Sequence, residues 1–574
     1  MDTPEKTAFL ILPIHLFDHS ILLENIKPLL AQTHTNSNTN TNILKTIYIL
    51  EEPVYFGDRD IKLNFNKLKL IYHRATMQYY FNYLQKYIPN GIELVYLEYN
   101  DLKNVSKNII GKGYQQIKKA HSKIIMFNPV DTYLEDKYKK IFGSKLKETD
   151  ILESPLFLCT SQDLEDYHKQ KPKTNKSRET YFHASFYNWQ RQRMNILGLP
   201  NSKTYDTENR NMMPADTQVP PLPKNDSKTP ATKKYIDEAI QYIQTNWNSN
   251  LEPVYAQRQQ DVQQDAKQDA TPKSKSISIT VSSILFPITR KTSLQWLENF
   301  CQNRFNNFGK YEDSIDAGQQ NNKDNNSRQP RNFLFHSCIT PMLNIGLITP
   351  QDVLSVITKF YNANKTIAKT KIDMANYEGF IRQIIGWREY QRYIYQYSGN
   401  TMREGNYFNN SGKLTPAWYN GTIGIKPVDD AIKMAVNDGY IHHILRLMVV
   451  GNFMNLVGIH PDEVYKWFME FAMDSYDWVM VGNVYSMALW ADGGITMRKP
   501  YISGDGYVMK MSNYSKGDWN AKWNAVFHHF IDRNSKQLEK TYYNGLVKAW
   551  ARKGKEEKEK EMAIANGIIN TISK

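Results

Sequence analysis

The chain has very little cysteine, no long apolar run and no internal repeat, and each absence removes a class of protein. Among 574 residues only Cys159, Cys301 and Cys338 carry thiols, widely separated and without a CxxC pair. A disulfide framework and a four-thiolate metal site are thereby excluded, and a reducing, intracellular setting is expected. No apolar run reaches the ~18 residues that a membrane helix needs, so no span is expected. The opening MDTPEKTAFLILPIHLFDHS sets acids before a short apolar run and lacks a small-residue cleavage site. It reads as a buried first strand, not as a signal peptide. No GxGxxG follows that strand, so the dinucleotide fingerprint is missing.

What the chain does have is positive charge and aromatic rings. Lysine and arginine number 72 against 58 acids, a net charge of +14. That balance favours a polyanionic partner, because phosphate contacts dominate nucleic-acid affinity. The 37 tyrosines and 11 tryptophans point the same way, since flat rings stack on bases or flavins. With 41% hydrophobic and 23% charged residues the chain is a folded one, long enough for two or three domains.

Residues 1–150 alternate short apolar runs with amphipathic stretches. Strands are expected at 9–14, 46–52, 92–97 and 122–129, and helices at 77–88 and 105–120. This βαβ rhythm predicts an α/β, doubly wound parallel sheet. Residues 151–233 are expected to link it to a helical domain over 234–574, with the Asn-, Pro- and Lys-rich stretch 196–232 as the connection itself. Three low-complexity segments, 32–42, 258–276 and 316–331, read as surface loops. Thr349, Pro350 and Asp352 mark a helix start, as do His460, Pro461 and the acids after them. The tail ARKGKEEKEKEMAIA reads as a solvated charged helix.

Chemistry concentrates in 304–512. HSCITPMLNIGLITP (336–350) offers small hydroxyl residues before a helix start, a pattern that presents backbone N–H groups to a diphosphate or simply caps a helix. In YEGFIRQIIGWREYQRYIY (377–395), Arg382, Trp387 and the Arg388–Glu389 pair could line a ligand pocket or form an ion-pair face. YIHHILRLMVVGNF (440–453) sets His443 and Leu447 one turn apart. The adjacent His442 and His443 cannot form an i,i+4 metal pair, so no metal is expected there.

Taken in order, FGKYED, HSCITPMLNIGLITP, GFIRQIIGWREY, HHILRLMVVGNF, YDWVMVGN and ADGGITMRKPYISGDGYVMKMS resemble the photolyase–cryptochrome superfamily. The branch is that of the bacterial iron–sulfur photolyases, including the prokaryotic (6-4) photolyases. The resemblance is strong over about 280–515, gapless over about 437–512, and in the N-terminal domain rests on the strand–helix rhythm alone. It implies the photolyase fold: an α/β N-terminal domain plus an all-α C-terminal domain holding folded FAD. It also implies a monomer that repairs UV-damaged DNA under blue light. Residues Gly309, Tyr311, His336, Ser337, Thr340, Asn344 and Arg382 are then expected around the cofactor, with Arg446 and Asp474 beside its ring and Asn483 facing N5. His443 matches the histidine that passes a proton to a (6-4) lesion, and Tyr501 and Tyr507 match tyrosines of the lesion pocket. Trp387, Leu447 and Met487 are expected to pack around that lesion, Leu447 standing where animal enzymes carry a second histidine. For electron hopping the resemblance implies Trp467 and Tyr476, with Tyr419 or the adjacent Trp418 in place of a third tryptophan.

The chain departs from the branch at two places. The four cluster cysteines are gone: the first falls near Pro427, and a later pair becomes Ser515 and Asp518, none of which can hold a four-iron cluster. Trp519, Trp523 and Phe527 are expected to fill that volume. A lumazine-type antenna is implied by the branch, yet the Gly-Asp-Gln that helps to bind it is replaced by PIHLFDHS. The leading expectation is (6-4) photolyase activity, a carbon–carbon lyase reaction. The alternatives are a cryptochrome-type photoreceptor, a photolyase for cyclobutane dimers, or a DNA-binding protein without cofactor.

Overall fold

The computed structural model describes the chain except residues 1–5, 31, 34–39, 42–43, 105–109, 172–179, 199–204, 206–209, 215, 224–228, 248–278, 319–330 and 368–371. The apolar runs of the first 150 residues form parallel strands at Thr7–Ile11, Leu44–Leu50, Glu93–Leu97, Lys123–Phe127 and Ile151–Leu152. From edge to edge the order is Glu93–Leu97, Leu44–Leu50, Thr7–Ile11, Lys123–Phe127, Ile151–Leu152. The central strand Thr7–Ile11 is fully buried, as a near-continuous apolar run in a sheet covered on both faces should be. The expected α/β, doubly wound class is therefore observed, and most of the described remainder is helical.

Several boundaries differ from expectation. The helix expected at 77–88 begins ten residues earlier, at Lys67–Leu84, because Asn66 caps it by accepting from the Leu68 amide. The helix expected at 105–120 is Lys112–Ala120 among the described residues. Within 32–42, expected as a loop, Gln32–Thr33 pairs antiparallel with Asn40–Thr41. The segments 258–276 and 319–330 lie outside the described residues. Two helices, Ser161–Gln170 and His183–Arg193, occupy the span expected as a linker. The helix Pro230–Asn246 packs along Lys67–Leu84, with Arg74 held by Glu238 at 2.6 Å.

The helix starts read from sequence are present: Thr349 caps Pro350–Asn364 in a capping box with Asp352, and His460 caps Pro461–Phe471. The tail forms Lys555–Ile572, but only its first half is solvated. Ala565 and Ile572 are buried and the helix lies on Asp518–Arg533, so its apolar half belongs to the core. No described helix is long and apolar enough to cross a membrane.

The α/β part clamps one turn of the helical part. The Asn66 amide donates to the Glu470 carbonyl at 2.6 Å, and the buried Lys69 ammonium donates to the carbonyls of Met469 and Ser475 at 3.1 and 2.8 Å. Arg59 sits 2.6 Å from Asp131 and 3.5 Å from Asp477, which also accepts from Arg403, Tyr395 and Tyr465. Arg59 and Arg403 hold the Asp477 carboxyl well below the usual carboxylate range against the opposing effect of burial. The fixed turn between these anchors carries Asp474.

Candidate functional site

Three helices of the second half widen to π-helical geometry, at Arg382–Arg388, Leu445–Gly451 and Gly482–Ala488. A π turn inserts one residue into the i→i+4 ladder and redirects side chains, which is why such turns recur at functional sites. Six expected site residues ride on them: Arg382 and Trp387, Arg446 and Leu447, Asn483 and Met487. Nothing in residue type or spacing marked these turns.

Asp474 is the hub of the inner group. Its Oδ2 accepts from Thr340 Oγ1 at 2.6 Å, its backbone carbonyl accepts from Asn344 Nδ2 at 2.9 Å, and Arg446 Nη2 lies 2.9 Å from Oδ1. Arg446 also donates from Nε to the Ile441 carbonyl at 2.6 Å. Arg388 extends the group by donating to Asn344 Oδ1 at 2.5 Å. The Arg388–Glu389 pair is thus no surface ion-pair face. Arg388 also donates to the Leu156 carbonyl, while Glu389 accepts the amides of Leu158 and Cys159 at 3.0 and 2.9 Å.

The outer group gathers at Asp313, which the sequence reading had not singled out. Its Oδ1 lies 3.7 Å from His443 Nε2, and its Oδ2 accepts from Tyr507 Oη at 3.3 Å, with Arg210 Nε 3.6 Å away. Tyr501 and Tyr507 are partly buried, and burial pushes both phenols above their ordinary range, Asp313 adding to the shift. The nearest sequence signal was the acidic end of FGKYED itself. His443 is half-exposed, whereas His336 and His442 are buried and stacked, ring centroids 4.7 Å apart at 15°. Burial, reinforced by the neighbouring histidines, holds both of their imidazoles well below the ordinary range and therefore neutral.

Other expected residues are committed elsewhere. The Gly309 amide donates to Asn376 Oδ1 at 2.7 Å, so it is not offered to a diphosphate. Tyr311 stacks on Phe335 in a small cluster with Met213 and Leu334. The Ser337 carbonyl accepts from Trp296 Nε1 at 2.8 Å, and Asn483 Nδ2 donates back to the Val479 carbonyl of its own helix at 2.7 Å. One face of Trp387 is covered by His183 at 3.8 Å and 8°. Arg382 lies beside the same histidine, and Leu447 and Met487 are partly buried.

Residues 29–308 match the family model described as deoxyribodipyrimidine photo-lyase-related protein. The chain is 32% identical over 278 residues to the (6-4) photolyase of Agrobacterium fabrum, an alignment covering 46% of this chain and 51% of that protein. It thus spans about half the length of that relative. Over these residues the chain is similar to the photolyase-related family. A 129-residue stretch is 46% identical to the whole of uncharacterized protein R855 of Acanthamoeba polyphaga mimivirus. The fold is similar to a bacterial class III photolyase from Agrobacterium tumefaciens, with TM-score 0.50, 12% identity and 99% of each chain covered.

Positions at which the superfamily branch hops electrons or holds its cluster have their own partners here. Trp467 is buried, donates to the Trp418 carbonyl at 2.8 Å and packs on Phe471, while Trp418 donates to the Ile572 carbonyl at 2.8 Å. Tyr419 donates to Glu470 at 2.9 Å. Tyr476 turns to the α/β part, its ring centroid 5.9 Å from those of Tyr55 and His73. Around Ser515 and Asp518, both exposed, Trp519 and Trp523 are buried 6.1 Å apart, and Trp523 packs on Phe453 at 5.0 Å. Phe527 is buried beside them, so the three aromatic side chains fill this region.

Proposed function

We propose that the chain is a light-driven DNA photolyase that binds FAD in its helical part and restores (6-4) pyrimidine photoproducts. One observation carries this reading: a single turn, residues 443–446, bears both the half-exposed His443 beside Asp313, Tyr501 and Tyr507 and the Arg446 paired with buried Asp474. An acid–base group facing solvent is thereby joined to a buried charged pocket.

The inner residues fit a flavin. Arg446 pairs with the buried Asp474 carboxylate, which also accepts from Thr340 at 2.6 Å. Arg446, Asp474, Thr340 and Asn344 would hold the cofactor, and Arg446 would favour negative charge on it. When bound, FAD supplies the photo-excitable electron donor. The chain's own residues do the rest. A damaged pair stacks poorly and is extruded at reduced cost; Tyr501, Tyr507, Leu447 and Met487 would receive it. His443 would exchange a proton with the lesion, with Asp313 3.7 Å from its Nε2. The 32% identical (6-4) photolyase supports the lesion class. Only three cysteines, each buried, support the absence of an iron–sulfur cluster. The segment after the first strand is buried, with His15 packed between Phe17 and Phe127, so no antenna is included in the proposal.

The test illuminates purified protein with DNA carrying (6-4) or cyclobutane lesions separately. Repair of the (6-4) lesion is expected. Repair of cyclobutane dimers alone overturns the lesion assignment, and bound FAD without any repair points instead to a photoreceptor.

A further inference from the structure

We propose that His336, His442 and His443 form a binding site for a divalent transition-metal ion of the zinc class. One ring nitrogen from each lies within 4.8 Å of the other two, although residue 336 comes from a different segment than the adjacent pair. His336 Nε2 and both ring nitrogens of His442 are buried without hydrogen-bond partners. Buried polar atoms are nearly always satisfied, so orphan nitrogens on two stacked rings that both belong to this cluster mark a missing partner. The third ring, His443, stands edge-on to His336 with centroids 5.4 Å apart and is free to turn, its side chain being 48% exposed.

The donor set selects the ion. Three neutral imidazoles without thiolate suit zinc, cobalt, nickel or copper; magnesium and calcium demand oxygen ligands. Three histidines leave the fourth tetrahedral position open to solvent or a small ligand. Asp313 lies 3.7 Å from His443 Nε2, close enough for a small turn of the ring to make it an outer carboxylate that orients the imidazole. Arg446 beside His442 opposes a cation, and its own pairing with Asp474 at 2.9 Å offsets that repulsion. Coordination requires the rings to close to roughly 2.0–2.1 Å from the ion. The exposed His443 can make most of that movement.

The functional consequence rests on the photolyase reading: an ion holding His443 removes its capacity to carry a proton, so zinc acts as a reversible inhibitor of repair. The full chain with its flavin is stripped with a chelator and titrated with Zn2+ by calorimetry, and with Co2+ by visible absorption. A single saturable Zn2+ and the bands of four-coordinate Co2+ are expected. Both should weaken more than about tenfold in His336→Ala and in His443→Ala, the latter a half-exposed position whose change leaves the core intact. No saturable binding, or binding unchanged in His443→Ala, overturns the site. Zn2+ that binds through these residues without slowing repair supports the site and overturns the role of His443. Repair without any Zn2+ binding does the reverse.

Discussion

Arg446 Nη2 lies 2.9 Å from Asp474 Oδ1 and donates to its Oδ2 at 3.2 Å, where Thr340 Oγ1 also donates at 2.6 Å. The buried carboxylate is thus held as the partner of one guanidinium, and removing either leaves the other charge unpaired. The clamp from Asn66, Lys69 and Arg59 holds the turn that makes this possible.

Asp474→Ala should therefore abolish flavin retention. It leaves Arg446 without its partner, a loss of roughly 3 kcal/mol or more for a broken buried pair. The ratio of flavin to protein absorbance after purification measures this, and a fully yellow variant contradicts it.

His443→Ala should lower (6-4) repair by about 10²–10⁴-fold, the range of a lost proton-transfer group, while flavin stays bound. Single-turnover repair under saturating light reads the effect directly. Undiminished repair removes His443 from the mechanism.

Asp313→Asn tests the residue that the sequence had hidden. Asn keeps the shape but not the charge facing His443 and Tyr507, so single-turnover repair should fall by up to about 100-fold. Undiminished repair shows that Asp313 merely fills space.

Lys69 offers a pH test of the clamp. Burial pushes its amine down to about 7, although nearby Asp474 opposes the shift. In the unfolded chain the same amine stays protonated to about 10.4. Between these values the unfolded state holds the extra proton, so stability rises with pH at up to about 1.4 kcal/mol per unit. Relative to Lys69→Met, the wild type should gain stability between pH 7 and pH 9.5 in urea unfolding. A difference independent of pH sinks the assignment.

Trp523 is fully buried between Trp519 and Phe453. Trp523→Ala should cost about 3–5 kcal/mol as a cavity opens. Denaturant midpoints measure it, and a loss below about 1 kcal/mol means the region is not held by aromatic packing.

The sequence by itself determined the elements with a local cause. Apolar runs dictated the strands, Thr349 and His460 their helix starts, and ordered motifs over 280–515 the superfamily, while the family model matches 29–308, where only the rhythm had spoken. Arg446 with Asp474 and Thr340 was also legible, because Arg446 and Thr340 sit inside such motifs and Asp474 just before another. Tertiary structure alone decided the rest. The π turns depend on what packs against each helix, and no residue type encodes an i→i+5 bond. Asp313 reaches His443 across 130 residues, and His336 reaches His442 across more than 100, so neither pairing has a spacing to read. Gly309 was expected beside the cofactor, and its amide is taken by Asn376 from a distant helix. Local sequence sets what a segment is; only packing sets which segments share a site.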